Sequence, residues 1–341
     1  MSRYRSEITV DLGALRHNVR TLLRALEGSE LWAVVKADAY GHGAVDVAGA
    51  TLAEGATAVC VATVPEALRL RVEFPAARIL VMGPSVDAEL VDAREARLEL
   101  VVADRRVPEG VPVHLKLETG MGRWGLSELT AAPANVVGLM SHLATADCDE
   151  AFAKEQVERF RALTAGHERL TRHVANSAAA LRLPESRLDA ARCGIALYGL
   201  SPFGNDPADD GLEPVLRWES NLAQVKRLES GESTGYGRRF VAERPTWIGI
   251  VPVGYADGFR RDMTGTEVRV DGERRFVVGT ISMDAFAVQL EGELPEGTPV
   301  TLIGPGVLAE NHARVAGTIN YEIVSRIESG PGRAQRTVLG G

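Results

Sequence analysis

Leu31-Trp32-Ala33-Val34-Val35-Lys36-Ala37-Asp38-Ala39-Tyr40-Gly41-His42-Gly43 joins a short apolar run to a glycine-punctuated loop through a single lysine. An ammonium is costly to desolvate. A lysine that closes a buried strand is therefore exposed, paired, or held there for its nucleophilic amine. We read Trp32–Lys36 as a strand and the following glycines as its exit loop. Outward from it, further apolar or β-branched runs recur at Ala58–Ala62, Ile79–Met82, Glu99–Val102, Val113–Leu117, Val136–Ser141, His173–Ala175 and Ala190–Cys193. Amphipathic segments lie between them, at Leu12–Glu27, Ala44–Glu54, Val64–Phe74 and Ala151–Arg169. In the first of these, Leu12, Leu15, Val19, Leu22, Leu23 and Leu26 keep helical spacing. Strands alternating with helices in this number predict a closed (β/α)₈ barrel of the TIM type, in the α/β class. An open doubly wound sheet is the second choice. No GxGxxG follows the first strand, which speaks against a dinucleotide fold.

The breaker-rich stretch Pro202–Pro214 marks a change of composition and reads as a hinge. We expect a barrel domain over 8–212 and a mostly β C-terminal domain over 213–341, with the N-terminal segment 1–7 packing on the latter. Strand-length runs there are Leu222–Leu228, Trp247–Pro252, Glu267–Val270, Phe276–Ile281, Phe286–Leu290 and Pro299–Ile303, with one helix near His312–Val315. A formal charge of −8 argues against nucleic acid or an anionic membrane as main partner. No apolar run approaches the ~20 residues of a membrane span, and the N-terminus has no signal-like apolar core. Three widely spaced cysteines (Cys60, Cys148, Cys193) fit a reduced, cytoplasmic compartment. The scattered histidines predict no metal.

Active sites of such barrels are built from loops at the carboxyl ends of the strands. Unusual residues collect there. Lys36 and Tyr40 follow the first strand, and Lys116 and Arg123 flank a glycine-rich turn after the fifth. His142 follows the sixth strand, Asn176 and Ser177 the seventh, and Arg192, Gly194 and Ile195 lie at the eighth. An arginine on a glycine turn suits a carboxylate, because two parallel N–H bonds match two oxygens. A hydroxyl and a glycine N–H after the last two strands suit a phosphate.

The segment VVKADAYGHG (Val34–Gly43) resembles the cofactor-lysine motif of alanine racemases, fold-type III enzymes that use pyridoxal 5'-phosphate. KLETGMGRWG (Lys116–Gly125), SHLATAD (Ser141–Asp147), Asn176-Ser177-Ala178 and RCGIALYG (Arg192–Gly199) resemble further segments of that family. So do STGYG (Ser233–Gly237), GYADG (Gly254–Gly258), GTISMD (Gly279–Asp284) and TINYE (Thr318–Glu322), all in the family's order along nearly the whole chain.

The resemblance implies that Lys36 carries the cofactor as a Schiff base and serves as one catalytic base, with Tyr236 as the other. It implies that Tyr40, His142, Asn176, Ser177, Arg192, Gly194, Ile195 and Tyr321 hold the cofactor, with Arg192 on the pyridine nitrogen. Arg123 and the Met283 backbone N–H would bind the substrate carboxylate, supported by Tyr255, Asp284 and Lys116, a lysine that can be carbamylated. Tyr236 needs a depressed pKa to act as a base, and His142 and Arg192 are the expected source of positive charge. Because Tyr236, Tyr255 and Met283 belong to the second domain, the resemblance implies a head-to-tail homodimer with shared sites. Glu118 stands where the family has aspartate, and Thr280 where many members have an arginine in the entrance corridor, while Arg261 remains.

The implied reaction is the interconversion of L- and D-alanine, supplying D-alanine for peptidoglycan. A racemase for serine or basic amino acids is the nearest alternative, followed by a fold-type III decarboxylase. The decarboxylases' glycine-rich phosphate loop and second-subunit cysteine have no equivalent here. A non-catalytic cofactor-carrier barrel would lack the second domain.

Overall fold

In the computed structural model, which describes residues 4–129 and 132–340, eight parallel strands close into a barrel. They are β2 (Glu30–Val34), β3 (Ala58–Val61), β4 (Ile79–Val81), β5 (Glu99–Val102), β6 (Val113–Lys116), β7 (Val136–Met140), β8 (Thr171–His173) and β9 (Ala190–Cys193), with β9 pairing back onto β2. Closure rules out the open doubly wound sheet.

The helices between strands follow from their caps and stripes. Asp11 caps Leu12–Leu26 by accepting from the N–H groups of Gly13 and Ala14 at 2.7 and 3.1 Å, and Leu12, Leu15, Val19, Leu22 and Leu26 turn inward. Glu27 and Gly28, both at positive φ, end it. Thr63 and Glu66 form a reciprocal capping box on Val64–Glu73. The helix expected over 151–169 is shorter, Glu150–Leu163, and Gly166 at φ 81° turns the chain away just after it.

The second domain is a nine-stranded sheet in the order β11-β14-β17-β16-β15-β18-β10-β1-β19. Its members are β1 (Glu7–Asp11), β10 (Leu216–Asn221), β11 (Gln224–Leu228), β14 (Thr246–Val251), β15 (Glu267–Val270), β16 (Glu273–Val278), β17 (Phe286–Leu290), β18 (Pro299–Ile303) and β19 (Gln335–Leu339). The short pair β12 (Ser233–Thr234) and β13 (Phe240–Val241) stands apart and carries the turn around Tyr236.

Two expectations are corrected. The barrel domain does not begin at residue 8: β1 lies in the second sheet, antiparallel to β10 with Ile8 opposite Trp218, and parallel to β19. Its alternation of buried Ile8 and Val10 with half-buried neighbours is the pattern of a half-buried sheet, unlike the continuously buried barrel strands. The run 222–228 is not one strand, since β10 ends at Asn221 and β11 starts at Gln224. Residues 1–3 of the expected N-terminal tail and residue 341 lie outside the described residues. Within the tail, Arg5 pairs with Asp257 of the second domain. Among the described residues no helix is long and apolar enough to cross a membrane.

Candidate active site

Among the described residues, the loop after β2 holds the longest run of non-glycine residues at positive φ. The strand ends at Val34, so Lys36 stands two residues past its end instead of closing it. Ala37, Asp38 and Ala39 then adopt φ/ψ near 50°/50°, and Tyr40 has φ 55°. Four consecutive non-glycine residues thus form a left-handed turn, a conformation costing about 1–2 kcal/mol per residue. Specific bonds hold it. The Ala37 N–H donates to Glu66 Oε1 at 2.7 Å, and the Ala44 N–H to Asp38 Oδ1 at 2.9 Å. Arg336 from β19 donates to the His42 carbonyl at 2.6 Å. Strain of this kind, over-determined by its surroundings, collects at working sites.

This loop forms one wall of a cavity of about 480 Å³ at the barrel mouth. Lys36, Tyr40, His142, Asn176, Ser177, Arg192, Gly194, Ile195 and Tyr321 all line it. Every residue that the family resemblance implied for the cofactor therefore comes together in one place. Gly194 is required by space: a Cβ there would lie 2.6 Å from the Tyr40 hydroxyl oxygen. The Ser177 hydroxyl accepts from the N–H groups of Gly194 and Ala196 at 3.0 and 3.4 Å, gathering polar groups at that end. Tyr40 packs between Tyr198 and Tyr321, with ring centroids 4.9 and 6.0 Å away.

Arg192 is wholly buried. It donates to Ser141 O at 2.7 Å, His173 O at 2.9 Å and His173 Nδ1 at 2.5 Å, with His142 Nδ1 at 3.4 Å. Burial lowers its pKa to about 10, which leaves it charged at neutral pH. Burial also lowers the Lys36 ammonium's pKa, aided by the Arg123 cation and opposed by Glu66. Lys116 falls to about 8, through burial and then repulsion from Arg123 and Arg192. His142 falls to about 3, by burial and by Arg192, Arg123, Lys116 and Lys36. His142 is consequently neutral at neutral pH, burial and then the cations around it opposing its protonation, so it does not supply the positive charge expected of it. Burial raises the phenols of Tyr40 and Tyr321, so both remain hydrogen-bond donors.

Arg123 and Lys116 flank the cavity without lining it. Trp124 lies against both, 4.4 Å from the Arg123 guanidinium carbon and 4.8 Å from Lys116 Nζ. Glu118 organises the turn that carries Arg123, accepting from the N–H groups of Gly120 and Gly122 at 2.6 and 3.0 Å. Tyr236, Met283 and Tyr255 do not reach their own chain's cavity and are 71%, 50% and 42% exposed on the second domain. They are neighbours there. Thr280 donates to the Tyr236 carbonyl at 2.7 Å, and the Ala256 N–H to Met283 O at 3.0 Å. Thr280 thus anchors the backbone of the Tyr236 turn. Asp284 pairs with Arg333 at 2.6 Å.

Sequence reasoning overlooked Met82, Ile319, Ser325 and Arg326, which also line the cavity, and Glu66, which fixes the lysine loop. For Glu66 a signal was present, the Thr63-x-x-Glu66 capping pattern directly after a strand. Among the described residues no cluster of three or more His, Cys, Asp or Glu could hold a metal.

Fold and site together define a two-domain barrel enzyme with a half-buried lysine at the mouth of its barrel. The alanine racemase N-terminal domain family matches residues 10–202 and the C-terminal domain family residues 215–337. The alanine racemase of Streptomyces coelicolor is 41% identical over 95% of this chain and 94% of that protein. That of Lactiplantibacillus plantarum is 39% identical over 93% and 94%. The solved S. coelicolor structure superposes with a TM-score of 0.90 at 39% identity, covering 98% of both chains. Alanine racemase from a D-cycloserine-producing Streptomyces lavendulae gives 0.91 at 35%, covering 100% of this chain and 98% of that one. The chain belongs to the alanine racemase family.

Proposed function

We propose that this chain interconverts L- and D-alanine with pyridoxal 5'-phosphate by a two-base mechanism, as a head-to-tail homodimer. The supporting observation is the gathering of eight cofactor-type residues around Lys36 in one cavity. The residues present fit the cofactor. Gly194 lets the Tyr40 hydroxyl approach the turn closely, the Ser177 hydroxyl and adjacent turn offer polar groups to a phosphate, and buried Arg192 offers N–H donors to a ring nitrogen. When bound, the cofactor withdraws electrons and makes the substrate Cα–H acidic.

This chain's side chains do the rest. Arg123 binds the substrate carboxylate at the mouth, and Lys36, its ammonium pKa lowered by burial, takes or returns the proton on one face. Tyr236 of a second copy serves the other face, because one base on one face regenerates the starting enantiomer. The exposure of Tyr236, Tyr255 and Met283 as one group supports their insertion into a partner's cavity. We further assign the barrel unit to 12–212 and the β unit to 213–341 plus the N-terminal strand. Supply of D-alanine for peptidoglycan is the corresponding cellular role. The three unpaired cysteines fit work in the cytoplasm.

Tyr40 and Tyr321 narrow the cavity, which favours a methyl side chain over a longer one. With L-alanine, L-serine and L-lysine offered separately, alanine is expected to be racemised fastest. Faster turnover of serine or lysine reassigns the enzyme.

Lys116 is the proposed carbamate. A pKa near 8 gives a neutral amine at mildly alkaline pH, and the neutral amine attacks CO₂, releasing one proton as the N–C bond forms. The resulting anion would pair with Arg123. Protein equilibrated with ¹³C-bicarbonate at pH 8 is expected to show one carbamate carbonyl resonance that Lys116→Met removes. Persistence of the signal in that variant assigns it elsewhere.

A further inference from the structure

A polar string runs through the interior of the barrel, where apolar side chains are the rule. From the cavity inward, Arg192 Nη1 meets His173 Nδ1 at 2.5 Å and His173 Nε2 meets His114 Nδ1 at 2.8 Å. His114 Nε2 then meets Glu99 Oε2 at 2.9 Å. Arg78 Nε clamps both Glu99 oxygens at 2.8 and 2.9 Å. Both imidazoles are fully buried, and Trp32 packs on them with ring centroids 4.5 and 5.7 Å away. Glu99 opens β5 at the amino-terminal end of the barrel, so the string crosses the core from bottom to mouth.

Only one proton arrangement satisfies it. Arginine has donors and no acceptor, so His173 must accept at Nδ1 and carry its hydrogen on Nε2. An ionised Glu99 only accepts, so His114 carries its hydrogen on Nε2 as well. His114 Nδ1 is then free to receive the His173 proton, and the two ends agree without a clash. A second proton on either ring would set donor against donor. The electrostatics concur. Burial holds both imidazoles below their ordinary pKa; at Glu99 burial pushes up, but His114 and Arg78 outweigh it and hold the carboxyl down.

Space is reserved for this arrangement. On β7, between the two histidine-bearing strands, Gly138 lies opposite His114, and a Cβ there would fall 2.0 Å from His114 Nδ1. Glycine is needed at that position by room alone, since its φ is not in the left-handed region.

We propose that Glu99, His114 and His173 form a proton-ordered string that fixes the orientation of Arg192 and tempers the charge it presents to the cavity, making Glu99 and His114 positioning residues of the racemase site. The inference rests on the proposed role of Arg192. Among the described residues no carboxylate forms an ion pair with that cation, so Glu99 is the negative group its hydrogen bonds reach. Aligned hydrogen bonds polarise one another, and the string carries the influence of Glu99 to the cavity without bringing a carboxylate beside the cofactor.

The test uses the full-length protein as purified, with ¹⁵N-labelled histidine, and long-range ¹⁵N–¹H correlation at pH 7.5. His114 and His173, assigned through their glutamine variants, are expected as neutral rings protonated on Nε2. An Nδ1–H tautomer or a charged ring at either position overturns the proposal. This reading does not depend on turnover, so it separates failure of the string from failure of the racemase assignment, which absent alanine racemisation in the unaltered protein would reveal. Glu99→Gln keeps the side-chain length and removes the charge. It is expected to lower kcat in both directions by about 10-fold, the size of one charged hydrogen bond, with KM for alanine unchanged within ~2-fold. Gly138→Ala, which displaces the His114 ring, should reproduce that split. An unchanged kcat in folded Glu99→Gln, or a loss confined to KM, overturns the positioning role.

Discussion

Lys36→Ala is expected to abolish alanine racemisation, by at least ~10³-fold, together with the visible absorbance of covalently held cofactor. Two losses combine. The amine is the proposed covalent anchor, and general-base catalysis alone accounts for about 10²–10⁴-fold. The fold should survive the change. Lys36 is half-buried at the start of a loop, and the bonds that hold the left-handed turn come from Glu66, Asp38 and Arg336, none through the lysine side chain. The melting temperature of the unloaded variant should thus match that of the unloaded parent protein. Exogenous small amines should restore part of the proton transfer, and restore it unequally in the two directions, because only one face of the substrate has lost its base. Full racemase activity in Lys36→Ala would remove the lysine from the mechanism. Equal rescue in both directions would contradict its assignment to one face.

How far the residues alone led depends on what kind of signal each carried. The barrel strands were legible because a strand buried on both faces must be continuously apolar, as in Ala58–Val61 and Ile79–Val81. β1 was not, because five residues of alternating burial look the same wherever their partner lies, and its partners are more than 200 residues away. The left-handed turn after Lys36 was invisible for a related reason. Ala37 and Ala39 have no intrinsic taste for that backbone, and Asp38 only a modest one; it is imposed by Glu66, Asp38 and Arg336 acting together. The cavity residues were found by the family resemblance and by their places after strands. The charge state of His142 needed coordinates, since it depends on its burial and on four cations drawn from the carboxyl ends of β2, β6 and β9. The interior string escaped for the opposite reason. A histidine in a strand is usually a satisfied structural group, and only the 2.8 Å approach of His114 to His173 across Gly138 makes it part of a line.

The dimer proposal has a sharper consequence than loss of activity. Tyr236→Phe should be inactive or nearly so, and asymmetrically: the phenyl ring keeps its packing but cannot take or return a proton, so exchange at one face stops first. Its solvent-exposed position on its own chain makes a folding defect an inadequate explanation for such a loss. Lys36→Ala and Tyr236→Phe, each inactive as homodimers, should regain activity when mixed and allowed to exchange subunits. In a mixed dimer one cavity receives the intact lysine of one chain and the intact tyrosine of the other, while the second cavity has neither. Random exchange makes about half the dimers mixed, each with one working site of two, so recovery should approach about a quarter of the unaltered activity. If both residues served the cavity of their own chain, every site in the mixture would lack one of them and recovery would be nil. Recovery that rises with exchange time and plateaus near a quarter would place Tyr236 in the partner's cavity. A flat line at zero, with exchange verified by mass-labelled subunits, would place both bases in one chain and require the exposed Tyr236 turn to fold back onto its own barrel.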